Sequence, residues 1–75
     1  YARATVLANA VLADALARGD APLQVSARLT LADIDYYQGH LDAYRQDCER
    51  ALTLARSVGD IHGMARSLYS LAYFY

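Results

Sequence analysis

Residues 41–60 read LDAYRQDCERALTLARSVGD. Within this stretch Leu41, Tyr44, Cys48, Ala51, Leu52, Ala55 and Val58 recur at intervals of three and four, which puts them on one face of a helix. The other face carries charge. Arg45 and Glu49 stand at i,i+4, Asp42–Arg45 and Asp47–Arg50 at i,i+3, spacings that each add ~0.2–0.5 kcal/mol to a helix. Val58-Gly59-Asp60 closes the run. Glycine takes up left-handed backbone cheaply and stops a helix, and Asp60 is suited to accept hydrogen bonds from the free amides that open the next one.

The same device occurs at Gly19-Asp20, and Gly39 marks a third turn. Pro22 follows Gly19 closely, where the first turn of a helix accepts it. These signals predict four helices, over 2–18, 22–38, 41–58 and 61–75. In the first, Ala4, Ala8, Val11, Leu12, Ala15 and Leu16 form the apolar stripe. In the second it is Val25, Leu29, Ala32 and Tyr36, with Leu31 beside it; in the fourth, Ala65, Leu68, Leu71, Ala72 and Tyr75. Cys48, Ala51, Leu52, Leu31 and Ala32 are expected to be buried. No segment alternates with period two, so the predicted class is all-α.

Gly19-Asp20 and Gly59-Asp60 are 40 positions apart, and the same offset aligns Leu31-Ala32 with Leu71-Ala72, Leu12 with Leu52 and Ala15 with Ala55. A self-similar helix pair at this period is the mark of a solenoid, whose units need neighbours to bury their apolar faces. The residues here resemble the tetratricopeptide repeat. Leu68, Leu71-Ala72 and Tyr75 match the pattern of its helix A; Leu31-Ala32, Gly39 and Ala51-Leu52 match the helix A, turn and helix B of a middle unit. Arg28 and Asp35 stand where large apolar residues belong, Tyr44 where a small one is usual, and the closing proline is missing. The long period is similar to repeats of kinesin light chains and of large bacterial signalling and transcription regulators, which Leu54–Asp60 followed by His62-Gly63-Met64-Ala65 resemble in particular. The resemblance implies a right-handed superhelix of antiparallel helix pairs. Residues 1–19 would be helix B of one repeat, 20–59 a full repeat, and 60–75 helix A of the next.

Composition narrows the function classes. The chain has 75 residues, of which 56% are hydrophobic, too many for a disordered segment. Its single cysteine forms no internal disulfide. The net charge of −1 comes from seven scattered arginines against eight acids, so no basic face points to nucleic acid. No apolar run approaches the ~20 residues of a membrane helix. The absence of an initiator Met and the aromatic Leu71–Tyr75 end suggest a piece of a larger protein.

Candidate sites are few. Cys48 lies on an apolar stripe, where a free thiol behaves as a small hydrophobe. His40 and His62 sit beside turns, and His40 with Asp35 and Asp42 lacks the spacing of a metal site. Asp33 and Asp35, at i,i+2, point to different faces. No catalytic motif or cofactor loop is present, so no enzyme, metal or cofactor is expected. The resemblance implies that helix A lines a concave face, with Ser26, Leu29, Asp33, Tyr36 and Tyr37 from one repeat and Arg66, Tyr69 and Tyr73 from the next. Asp33, Tyr36, Arg66, Tyr69 and Tyr73 are the expected partner-binding residues, since Tyr and Arg give large contact area with a polar tip. Relatives that hold an acidic peptide terminus line this groove with a Lys and an Asn; here Leu29 and Asp33 occupy those places.

The reading is therefore a non-catalytic scaffold for a protein or peptide segment. The resemblance implies a regulatory region of a larger bacterial, cytoplasmic protein such as a transcription regulator. The alternative is a sensor domain with a small effector in the helical groove. Self-association is expected through terminal helices that lack their partners, because exposed apolar patches beyond a few hundred Å² mark association.

Overall fold

The computed structural model describes residues 1–74, the side chain of Phe74 excepted. Those residues form four helices: α1 (Ala2–Arg18), α2 (Ala21–Tyr37), α3 (Leu41–Val58) and α4 (Ile61–Phe74). The class is all-α, and each observed boundary lies within one residue of the predicted one; Tyr75 falls outside the described residues.

The turns show why the boundaries were so sharply written. Gly19 and Gly59 have nearly the same left-handed backbone, φ 66° and 70° with ψ 29° and 27°. In the first turn the Asp20 N–H donates to the Ala15 carbonyl at 2.9 Å, and in the second the Asp60 N–H donates to the Ala55 carbonyl at 2.9 Å. Asp20 Oδ1 then accepts from the Leu23 N–H at 3.1 Å, and Asp60 Oδ1 from the Gly63 N–H at 2.9 Å. One stop-and-cap device is thus built twice, at corresponding positions. Each cap contributes about 1 kcal/mol, because it satisfies an amide that the helix leaves unpaired.

Helix α2 is the centre of the packing. It lies against α1 on one side and α3 on the other, and also touches α4; α3 packs on α4, while α1 meets α2 alone. The Cα atoms occupy a slab of 30 × 28 × 15 Å. The core lies where α2, α3 and α4 converge, and consists of Val25, Leu29, Ala32, Tyr44, Cys48, Ala51, Leu52, Ala55 and Leu71. Leu29 and Val25 are among its largest fully buried side chains, and burying one such residue stabilises the fold by ~1.5–3 kcal/mol. Ala32, Ala51 and Ala55 have no exposed surface, and their small side chains allow these helices to approach closely. Ala8, Ala15, Ala27 and Ile34 are buried outside that cluster; Ala8 and Ala27 adjoin where α1 meets α2.

Several expected core residues lie elsewhere. Leu31 is half-buried, as is Leu12. Val11, Leu16, Leu41 and Val58 are exposed, since they lie at the margins of their stripes. The largest correction concerns α4. Of its expected stripe, Leu71 is buried but Ala65, Leu68 and Ala72 face outward, and Tyr75 lies outside the described residues; the residues that pack inward with Leu71 are Gly63 and Ser67. Gly63 is buried where a Cβ would come within 3.0 Å of Val25 Cγ1, so α4 approaches α2 through a residue without a side chain. Ser67 enters the interior at no polar cost, because its hydroxyl donates to the Gly63 carbonyl at 2.7 Å. At the offset of 40 positions, Ala65, Tyr69 and Ala72 correspond to Val25, Leu29 and Ala32 of α2. The α2 residues are buried under α3, whereas no helix among the described residues covers their α4 counterparts.

Candidate functional site

Helices α2 and α4 run side by side in the same direction, because their N-terminal halves meet at one place and their C-terminal halves at another. Near the N-termini, Arg66 Nη1 donates to Ser26 Oγ at 3.2 Å, joining two residues at corresponding positions of the repeat. Near the C-termini, Asp33, Tyr36, Tyr37, Tyr44 and Tyr73 surround a hollow of about 250 Å³. A wider hollow of about 590 Å³ adjoins it, bounded by Tyr36, Leu41, Tyr44 and Tyr73.

The aromatic rings support one another. Tyr36 meets Tyr37 edge to face at 5.8 Å and lies tilted against Tyr44 at 5.2 Å. Tyr69 and Tyr73 pack edge to face at 5.2 Å, with their hydroxyls hydrogen-bonded at 2.8 Å. Such contacts contribute ~0.5–1.5 kcal/mol beyond area burial. Tyr44 is the buried base of the hollow, only 3% exposed. Its hydroxyl donates to the Ser70 carbonyl of α4. Burial raises its phenol to about 12, with the neighbouring Cys48 as the next cause. The Tyr73 phenol is also raised, chiefly by its hydrogen bond with Tyr69. Asp33 is exposed at the rim.

Of the five expected contact residues, Asp33, Tyr36 and Tyr73 come together in this hollow, and Tyr69 adjoins through Tyr73. Arg66 does not join them. It lines a separate hollow of about 280 Å³ with Ser26, Asp60 and His62. Leu29, expected on the lining, is 1% exposed and belongs to the core. Tyr44 was read from sequence as a core residue alone, yet it also lines the hollow. Its size at a place where the resembled repeat has a small residue was the available signal.

Cys48 has no exposed surface, and burial pushes its thiol up to about 11, the reverse of what a nucleophile needs. His40 is exposed and stands 3.5 Å from Asp35. Asp47 is raised by burial first and by the adjacent Asp35 second, with Arg28 and Arg50 acting in the opposite sense. Arg28 and Asp35, the two departures from the repeat pattern, therefore form with Asp47 and Arg50 a polar flank on the α2–α3 seam. Among the described residues no three His, Cys, Asp or Glu side chains are placed to hold a metal ion. No helix of the described residues is long and apolar enough to cross a membrane.

Comparison with protein-family models, with curated proteins and with solved structures finds no significant match to this chain.

Proposed function

We propose that this chain is a non-catalytic scaffold of tetratricopeptide-like repeats which holds a protein or peptide segment on the face shared by α2 and α4. The observation that carries the reading is the tyrosine-lined hollow between the C-terminal halves of these helices. Aromatic residues with polar tips are the usual energetic centres of protein contacts. The repeat reading draws support from the twice-built Gly-Asp turn and from the contact of Ser26 with Arg66, which joins equivalent positions of α2 and α4. In this reading such helix pairs stack as a right-handed superhelix and α2 and α4 line its concave side.

The context is a regulatory region of a larger bacterial, cytoplasmic signalling or transcription regulator, a reading that rests on the likeness of residues 54–65 to such repeats. The chain itself touches neither nucleic acid nor membrane and uses no cofactor. Exposed Leu7 and Val11 on α1, and Leu68 and Ala72 on α4, support burial of those faces by further repeats or by self-association. A sensor pocket for a small effector is the lesser reading. Such pockets enclose most of their ligand, whereas Tyr37 and Tyr73 are largely open to solvent.

The test is selection of binders from a random-peptide display library, followed by Tyr69→Ala and Tyr73→Ala. Loss of ~2 kcal/mol or more in binding, with helicity intact, is expected if these are hot spots. Selected peptides whose affinity is indifferent to both substitutions would move the binding surface off the α2–α4 face.

A further inference from the structure

We infer that the hollow at the C-terminal ends of α2 and α4 receives the guanidinium group of an arginine from the bound segment. This inference rests on the scaffold reading above and names the chemistry of its partner.

Four observations converge on a cation. The walls are rings: Tyr36, Tyr37, Tyr44 and Tyr73 contribute side chains to one hollow of about 250 Å³. The face of an aromatic ring is electron-rich and attracts a cation, the more so where water is displaced. The rim carries a carboxylate. Asp33 lines the same hollow and makes no hydrogen bond or ion pair with another of the described residues. No Lys or Arg is among the described residues that line this hollow.

The fourth observation concerns the backbone. Carbonyls at a helix C-terminus carry partial negative charge, which a basic side chain in the last turn offsets. Helix α1 has Arg18 there and α3 has Arg56, but α2 has no basic residue in its last turn. Asp33, Tyr36 and Tyr37 sit in the closing turns of α2, and Tyr73 in the last turn of α4. The end of α2, which lacks a cation of its own, frames the hollow.

Guanidinium fits these features better than other cations. It is planar and can stack on tyrosine faces while its N–H fork donates two hydrogen bonds to one carboxylate. A trimethylated ammonium would use the rings but has no N–H for Asp33. An acidic group would meet the rim carboxylate and the negative end of α2.

The experiment is an NMR titration of the whole chain, following tyrosine ring signals, with the acetylated, amidated tripeptide Gly-Arg-Gly. Parallel arms use citrulline, trimethyllysine or Glu in place of Arg. Citrulline preserves the shape of arginine and removes its charge. The expected result is saturable shifts at Tyr36, Tyr44 and Tyr73 with the arginine peptide, about tenfold weaker with citrulline and with the Asp33→Asn protein. Asp33 is at the surface, so that variant should fold; Tyr37→Ala, also at an exposed residue, provides a second reading with the same direction. Equal response to citrulline or Glu peptides would overturn the arginine assignment while leaving the groove as a binding surface. Tighter response to trimethyllysine, or unchanged affinity in Asp33→Asn, would overturn it as well. Loss of the groove reading itself would show independently, in display-selected peptides that ignore Tyr69 and Tyr73.

Discussion

Replacing Tyr44 with Phe removes one hydroxyl and leaves the ring, and its effect should depend on pH in a way the structure dictates. At neutral pH the variant loses the hydrogen bond to the Ser70 carbonyl, which costs about 1 kcal/mol. At alkaline pH the balance changes. The phenol sits at about 12 in the folded protein against 10.0 in the free side chain. An acid raised in this way favours the folded state fully below its unfolded value, and that contribution disappears as pH climbs through the folded one. Wild type must therefore lose stability between about pH 10 and 12 from a source that Phe lacks. Two pH units correspond to ~2.7 kcal/mol at complete ionisation, and solvent reaching the ring through the hollow reduces this to on the order of 1 kcal/mol. That equals the hydroxyl's contribution at neutral pH, so the deficit of Tyr44→Phe should shrink above pH ~10 and vanish near pH ~12. Urea unfolding followed by circular dichroism, in reducing buffer at stepped pH, measures the difference directly. A deficit that stays constant across this range would mean that Tyr44 ionises as freely as a surface phenol, and the buried placement of its hydroxyl would be refuted.

Three further outcomes follow from the packing and charge. Leu29→Ala should cost ~2–5 kcal/mol and Leu68→Ala, at a side chain 50% exposed, within ~0.5 kcal/mol of nothing; chemical denaturation that ranks them in the opposite order would return the inward face of α4 to the one expected from sequence. Asp47→Asn should stabilise the fold above pH ~4 by removing a carboxylate that burial and Asp35 both disfavour, with the gain fading as pH falls and the wild-type group protonates; melting curves at pH ~7 and ~3 compare the two. Cys48, buried with its thiol raised to about 11, should react with a thiol reagent at pH ~8 only as fast as the protein opens, which addition of urea would reveal.

The helix boundaries were legible because each is written in a residue with one strong backbone preference: Gly19, Gly39 and Gly59 all adopt positive φ. The core of α3 was legible for a different reason, since only one side of that helix is apolar. Helix α4 misled the reading because both its sides carry non-charged residues. The side that turns inward is marked by Gly63 and Ser67, whose small size permits close approach but gives no hydrophobic signal. On α2, Val25, Leu29 and Ala32 of the expected stripe are buried, but Tyr36 is exposed and Leu31 only half-buried, while Ala27 and Ile34 were missed, because a helix flanked by neighbours on both sides buries two stripes and a one-sided period describes only one of them. The candidate site was legible in part. Helical spacing brought Asp33 to Tyr36 and Tyr69 to Tyr73, but the inclusion of Tyr44 and the separation of Arg66 depend on how α2, α3 and α4 cross.

Among the described residues helix α1 touches only α2, while α2, α3 and α4 share a single core. This asymmetry sets an order for opening. The loss of α1 uncovers one face of α2 and leaves the three-helix core whole, so its amides should exchange with solvent through an opening smaller than global unfolding, and those of α2 and α3 only through the complete transition. Contacts between successive helices also keep loop closure short, the condition for rapid folding. These 75 residues by themselves are accordingly graded along the chain, with α1 the first helix to open and a cooperative remainder that carries the tyrosine hollow.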